Sequence, residues 1–409
     1  MSFLSFITLS VIVFSGLILI LVAVLSFVKS KVRSGDKARI FINDRKDPLV
    51  VPSGENLLST LAAHEIYLSS ACGGKGTCAA CKCKVLEGGG DLLPTEIGLL
   101  SRREQKEGLR LACQCKVRQD LKLEIPSEIL AIRKYECRVK SNRQVATFIK
   151  ELVLETKEPL DFKPGAYIQI DIPSYRLRFQ DFDVDVKYRS DWDKAGLWNL
   201  TAQNDEPVFR AYSMANPPTQ QPELVFNVRI ATPPGGDKDL PPGIASSYLF
   251  SLKPGDRVTA SGPFGEFFIK DSRREMIYIG GGAGMAPLRS HLFYLLRTLK
   301  TTDRKISYWY GARSLRELFY ADEFRALEKE FSNFSFHVAL SDPLPDDQWS
   351  GPAGFIHQEI YDAYLKNHEA PEEVEYYMCG PPLMTAAVLT MLDSLGVDPS
   401  MIAYDDFGE

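Results

Sequence analysis

Four cysteines, Cys72, Cys78, Cys81 and Cys113, constrain this chain more than any other feature, because the spacing C-x5-C-x2-C with one distant partner makes remote segments converge on a single centre. Thiolates so arranged suit a [2Fe-2S] cluster. The loop from Ala71 through Cys72-Gly73-Gly74-Lys75-Gly76-Thr77 to Cys78 is rich in glycine, so its backbone can wrap an inorganic core and aim N–H groups at the sulfurs. A zinc ribbon with four cysteine ligands is the competing reading. It would pair two C-x2-C knuckles, and here only Cys78 and Cys81 form one. The other cysteines, Cys83, Cys115, Cys137 and Cys379, show no disulfide framework, which places the folded part in a reducing compartment.

At 409 residues the chain predicts about two to four domains. Its net charge of -5, with both signs interspersed, leaves no extended basic stripe, so nucleic acid is not an expected partner. From Met1 to Val28 no charged residue occurs, and Leu4 to Val28 is mostly Leu, Ile, Val and Phe. About 20 helical residues cross a hydrocarbon core of about 30 Å, so residues 1–33 are expected to form a retained single-pass transmembrane anchor with its basic flank in a lipid bilayer. Lys29, Lys31 and Arg33 then keep the rest of the chain on the cytoplasmic side. A cleaved signal peptide would need a basic start, a shorter apolar core and a small-residue cleavage site.

Beyond the anchor, alternation at Ala38–Ile42 and Leu49–Val51 predicts a hairpin, and Ser53 is placed to cap a helix over 55–63 leading into the cysteine loop. Strands are expected at Cys83–Leu86, within Leu111–Val117 and at Leu121–Ile125, with a linker and hinge at Pro126–Tyr135. On these residues, 36–128 resembles the [2Fe-2S] ferredoxins of the α+β β-grasp fold. Plant-type ferredoxins place four residues between the first two ligands; the five here resemble the vertebrate type.

Residues 133–268 show short alternating strands punctuated by Pro-Gly turns at Lys163-Pro164-Gly165 and Lys253-Pro254-Gly255-Asp256, the pattern of an antiparallel β-barrel. Within them stand R-x-Y-S at Arg210, Tyr212 and Ser213, and a glycine turn at Gly243 that opens a helix carrying Ser246, where free N–H groups favour phosphate. Residues 272–409 read as an α/β nucleotide-binding domain with a parallel sheet. The strand Met276–Ile279 enters G-x-G-x-x-P at Gly282, Gly284 and Pro287, Lys305–Tyr310 ends in Gly311-Ala312-Arg313-Ser314, and Glu375–Met378 ends in Cys379-Gly380-Pro381-Pro382. These motifs together resemble the ferredoxin-NADP reductase superfamily. The resemblance implies that Arg210 pairs with an FAD pyrophosphate oxygen, Tyr212 lies against the isoalloxazine and Ser213 bonds near the reactive flavin nitrogen, while Gly243 and Ser246 meet FAD phosphate. It also implies that Gly282, Gly284, Pro287, Gly380 and Pro381 bind NADH, that Cys379 lies at the hydride site, and that Phe407 covers the second flavin face and moves aside for nicotinamide. Ser213, Cys379 and Phe407 are thus the expected catalytic residues.

Anchor, ferredoxin, flavin barrel and nucleotide domain in this order resemble the NADH-oxidising F subunits of sodium-translocating NADH:quinone reductases. That resemblance implies a bacterial inner-membrane protein that passes a hydride from NADH to FAD, then single electrons to the [2Fe-2S] cluster and on to a partner subunit, with ubiquinone reduction and sodium movement belonging to the assembled complex. A reductase feeding an oxygenase uses the same three modules, although an anchor argues against it, and a non-enzymatic anchored electron carrier or assembly module would bind no nicotinamide. Arg313 with Ser314 would suit a 2′-phosphate, so NADH rather than NADPH follows from the family alone. The insert from Tyr175 to Asn199, with Phe179, Phe182, Trp192 and Trp198, either packs on a neighbouring subunit or covers the barrel.

Overall fold

The computed structural model describes residues 12–24, 37–45, 47–130, 132–233 and 240–405. Residues 12–24 are helical and, at 1.5 Å per residue, rise about 20 Å, and among the described residues no helix is long and apolar enough to cross a membrane. The remainder of the expected span, its basic flank and Phe407 lie outside the described residues. Chain contacts divide the molecule into two units, residues 1–68 with 74–131, and residues 69–73 with 132–409.

In the first unit, β1 (Lys37–Ile42), β2 (Leu49–Pro52), β3 (Lys82–Glu87), β4 (Leu109–Leu111) and β5 (Leu121–Glu124) form one sheet in the order β2-β1-β5-β3-β4. Strict alternation along β1 buries Ala38, Ile40 and Ile42, and β1 runs parallel to β5 with Ile40 opposite Leu121. The helix Leu57–Ala63 buries Leu57, Leu58 and Leu61. Its cap is Asn56 rather than Ser53. Asn56 is the last residue with extended backbone, and its side chain accepts from the Ser59 N–H (2.8 Å), which Ser53 is too far upstream to reach. At the far edge Arg110 and Glu96 form a buried ion pair, 2.6 Å from Nη2 to Oε2, with side chains 8% and 0% exposed. Every remaining donor of Arg110 is used, by the carbonyls of Gly89 (2.6 Å), Gly90 (3.0 Å) and Asp91 (3.0 Å). The expected linker is shorter than the sequence suggests: Ser127–Leu130 is a helical turn, and the next strand starts at Arg133.

The second unit holds a six-stranded antiparallel sheet, a two-stranded hairpin and a five-stranded parallel sheet. The strands β6 (Arg133–Ala146), β7 (Ile149–Thr156), β8 (Tyr167–Ile172), β11 (Val208–Ser213), β12 (Glu223–Arg229) and β13 (Arg257–Phe264) pair antiparallel in the order β11-β8-β13-β6-β7-β12, with β9 (Tyr175–Arg178) and β10 (Thr201–Asn204) as a separate hairpin. An antiparallel bridge from Met214 to Phe226 joins the two outer strands and closes the barrel around Leu152, Leu154, Ile168, Ile170, Leu224 and Phe226. The insert between β9 and β10 covers this barrel: Phe179 and Trp192 are fully buried, Phe182 nearly so, and the Trp192 Nε1–H donates to the carbonyl of Thr147 at 2.8 Å. Its aromatic residues therefore serve the chain's own core. Trp192→Ala should cost about 3–5 kcal/mol, and chemical unfolding of the whole protein measures it; a loss under about 1 kcal/mol would mean the insert is not part of that core.

The nucleotide half is a fully parallel sheet of β14 (Met276–Gly281), β15 (Ile306–Ala312), β16 (Phe334–Leu340), β17 (Glu375–Cys379) and β18 (Ile402–Asp405) in the order β16-β15-β14-β17-β18. The chain winds from β14 to one side through β15 and β16, then to the other through β17 and β18. That reversal creates a crevice at the carboxyl ends of β14 and β17, where ligands of such sheets bind. The tail is no frayed terminus as far as Asp405: β18 pairs with β17, with Asp405 opposite Cys379.

Candidate functional site

Three of the four expected cluster cysteines come from adjoining elements of the first unit. Cys81 immediately precedes β3 and Cys113 follows β4, and the Ala112 N–H donates to the carbonyl of Cys81 (2.9 Å), which fixes the two side by side. Both are buried, whereas Cys72 and Cys78 are half-buried. A hydrogen bond with the Cys113 thiol, reinforced by burial and by the negative potential of Cys113 and Cys78, holds the Cys81 proton far above the ordinary thiol range. N–H donors are already aimed at the ligands, from Ala80 to Cys78 Sγ (3.5 Å) and from Gln114 Nε2 to Cys113 Sγ (3.6 Å). Gly76 has φ +78, and a Cβ there would stand 2.5 Å from Gln114 Nε2, so the loop needs glycine to keep that donor in place. Among the described residues no three His, Cys, Asp or Glu side chains are arranged to hold a single metal ion. Cys83 and Cys115, also buried, lie off the loop; burial first, then Cys115 and Glu96, lift the Cys83 thiol to about 12.

On β11 the period of two puts Arg210 and Tyr212 on one face and Ser213 on the other. Arg210 is half-buried and donates to the carbonyl of Phe209 (2.7 Å); Tyr212 packs on the barrel core, and burial pushes its phenol well above the usual range. Ser213 is buried and its Oγ–H donates to Asp405 Oδ2 at 2.9 Å. Through Asp405 the R-x-Y-S strand meets β18 beside Cys379. Nothing in the motif announces Asp405, and the only signal available was its place near the end of the chain.

The helix Ile244–Ser251 starts at Gly243 with no side-chain cap. A Cβ on Gly243 would stand 2.7 Å from the Ala231 Cβ and 2.8 Å from the Ser246 Oγ. The Ser246 hydroxyl accepts from the Ala231 N–H (3.0 Å) and donates to the Gly243 carbonyl (3.2 Å), so it braces the turn. The uncapped backbone N–H groups are then the donors left for a phosphate, which together with the Arg210 guanidinium and the Tyr212 ring fit a flavin dinucleotide.

Over the carboxyl ends of the parallel sheet lies a cavity of about 500 Å³. Gly281, Gly282 and Pro381 form part of its wall, with Arg313, Phe355 and Leu383 at other points. Phe355 and Leu383 are 69% and 87% exposed, apolar surface that an aromatic or sugar ligand would cover. Gly284, Pro287 and Cys379 are buried, and Gly380 is half-buried against Met384. A Cβ on Gly284 would fall inside contact distance of the Cys379 carbonyl and stand 2.7 Å from the Gly380 nitrogen. The two nucleotide turns thus touch backbone to backbone.

Three family models match in chain order: "2Fe-2S iron-sulfur cluster binding domain" over residues 40–118, "Oxidoreductase FAD-binding domain" over 197–269 and "Oxidoreductase NAD-binding domain" over 278–390. Among solved structures, a cytochrome P450 reductase from Amycolatopsis shares the fold at 24% identity and TM-score 0.64, covering 90% of this chain and 98% of that one. A ferredoxin reductase of carbazole 1,9a-dioxygenase is similar at 26% identity and TM-score 0.59, over 91% of this chain and 99% of that one. Curated relatives are much closer. The F subunit of the Na(+)-translocating NADH-quinone reductase of Pseudomonas aeruginosa is 54% identical over 97% of both chains. Its namesake in Marinomonas is 52% identical over 98% of both, and that of Klebsiella pneumoniae 53% over 98% of this chain and 99% of its own. With identity above half along nearly the whole length, and with [2Fe-2S], FAD and NAD domains in place, this chain belongs to the family of F subunits of Na(+)-translocating NADH-quinone reductases, the NADH-oxidising flavoproteins.

Proposed function

We propose that the chain oxidises NADH in the cavity over β14 and β17, directs the electrons through flavin to an iron–sulfur centre on Cys72, Cys78, Cys81 and Cys113, and delivers them to a membrane partner within the same complex. The observation that carries this reading is the Ser213–Asp405 hydrogen bond, which brings the R-x-Y-S strand to the strand beside Cys379. FAD, when bound, supplies the conversion between a two-electron hydride donor and a one-electron cluster. Arg210 holds its pyrophosphate, with the open N–H groups after Gly243, and Ser246 keeps that turn rigid. Tyr212 offers an apolar face to the ring. Ser213 has its proton engaged by Asp405, so its oxygen is left as an acceptor toward the flavin. Gly282, Gly284, Pro287, Gly380 and Pro381 would shape the nicotinamide side, near Cys379, and Phe407, which lies outside the described residues, is the expected cover of the other flavin face.

Residues 1–33 anchor the chain in the bacterial inner membrane with both units in the cytoplasm; the uncharged run to Val28 supports this, and the helix at 12–24 is its described part. Quinone reduction and sodium movement belong to the assembled complex. A reductase serving an oxygenase is the weaker reading, since such proteins share the fold at far lower identity than the quinone-reductase relatives do.

Anaerobic titration of the full-length chain in detergent with NADH, following flavin absorbance and the low-temperature electron-spin signal together, tests the sequence of events. Flavin bleaching with a reduced [2Fe-2S] signal is expected, and Cys81→Ser should keep the bleaching and lose the signal. Bleaching without a cluster signal in the unaltered chain would overturn the relay, and no bleaching would overturn NADH oxidation.

A further inference from the structure

We propose that Asp342 makes the site selective for a dinucleotide without a 2′-phosphate, by engaging the guanidinium that would otherwise receive that phosphate; the inference rests on the cavity being the NADH site. Dinucleotide folds discriminate at the adenosine ribose, where a carboxylate accepts from a 2′-hydroxyl and an arginine accommodates a 2′-phosphate. By sequence this chain carries the second kind of residue, Arg313 followed by Ser314, at the end of β15.

The structure cancels both. Arg313 lines the cavity, but its Nη2 lies 3.2 Å from Asp342 Oδ2. The pairing is built into the sheet: the Asp342 N–H donates to the Arg313 carbonyl (2.8 Å) and the Ser341 N–H to the Ala312 carbonyl (2.9 Å), so the two side chains leave adjoining strand ends. Ser314 is buried, donates its hydroxyl to Glu317 Oε2 (2.5 Å) and accepts from the Arg316 N–H (3.3 Å), which uses it as a cap. Asp303, the acid that the usual spacing from the glycine turn would put at the ribose, precedes β15 at the opposite end of the strand and faces Arg273 at 3.7 Å. Arg229, the other guanidinium in the cavity wall, comes from barrel strand β12 rather than from the nucleotide sheet. Selectivity at the end of β15 therefore falls to Asp342.

A 2′-phosphate brings close to two negative charges at pH 7. Beside Arg313 it also meets the Asp342 carboxylate, while a neutral ribose hydroxyl can donate to that same carboxylate. Both side chains are well exposed, so water screens the repulsion. Two charges against one at about 6 Å in water give a penalty of about tenfold.

The experiment compares the full-length protein with Asp342→Asn and with Asp342→Asn/Arg313→Ala, reading kcat/KM for NADPH over that for NADH, and the affinities for 2′,5′-ADP and 5′-ADP by calorimetry. Asp342→Asn should raise the NADPH/NADH ratio about tenfold and tighten 2′,5′-ADP about as much relative to 5′-ADP, and adding Arg313→Ala should remove both gains. An unchanged ratio and unchanged relative affinities in Asp342→Asn would overturn the role of Asp342 while leaving NADH oxidation standing. Binding of neither ADP, with no NADH oxidation by the unaltered protein, would overturn the site itself.

Discussion

Gly284→Ala should reduce NADH-dependent dye reduction by about a hundredfold or more. The added methyl would overlap the carbonyl of Cys379 and crowd the Gly380 nitrogen, all of it backbone, so no side chain can swing away to make room. Overpacking of this kind costs about 1–3 kcal/mol, and displacing a positioning group by about an ångström costs on the order of a hundredfold in rate. Gly282→Ala is the informative contrast: space around it is open, and only its φ of +56 opposes a side chain, a strain of about 1–2 kcal/mol. Steady-state assays and thermal midpoints of the two variants separate the effects. A Gly284→Ala protein as active as the parent would show that the contact between the G-x-G and C-G-P-P turns is unimportant to hydride transfer.

Glu96→Ala should destabilise the ferredoxin unit by about 3–5 kcal/mol, because it leaves the Arg110 guanidinium buried without a counter-charge. It would also strip the Leu111 N–H of its acceptor, at the end of the strand that leads into Cys113. Burial alone would raise the Glu96 carboxyl, but the hydrogen bonds from Arg110 and from the Leu93 and Leu111 N–H groups outweigh it and hold the group below its ordinary value. A depressed acid lends stability above its unfolded value of about 4.3 and loses it as pH falls through the lower folded value. The unit should thus keep this contribution at neutral pH and surrender it only in acid. Denaturant unfolding followed at the cluster absorbance, at pH 7 and below pH 4, measures both. Equal stability of variant and parent at pH 7 would remove the pair from the account of this fold.

Features set by short spacing were legible from residues alone. The cysteine loop, R-x-Y-S, the glycine turn and C-G-P-P each carry their geometry within a few positions, and the structure puts them at strand ends where the period of two or the crevice of a parallel sheet predicts. What escaped was settled by pairing between distant segments. Ser53 seemed the better cap until the backbone conformation at Asn56 fixed where the helix begins. Ser246 reads as a residue at a helix start; that it also accepts from Ala231, upstream of the turn, needed the folded chain. The Arg313–Asp342 pair joins the end of β15 to the turn after β16, and β18 reaches β17 only through pairing that no local spacing announces. The aromatic insert could have faced outward; only the closed barrel shows the hydrophobic surface that receives Trp192.

The parallel pairing of β1 with β5 also fixes an order of events during synthesis. A nascent chain that has released β1, β2 and the loop with Cys72, Cys78 and Cys81 still lacks the strand that belongs between β1 and β3. Cys113 emerges shortly before that strand, so its segment and the closure of the sheet arrive together. A chain stopped ahead of residues 121–124 therefore lacks the strand that pairs with both β1 and β3, and its sheet is left in two separate pieces.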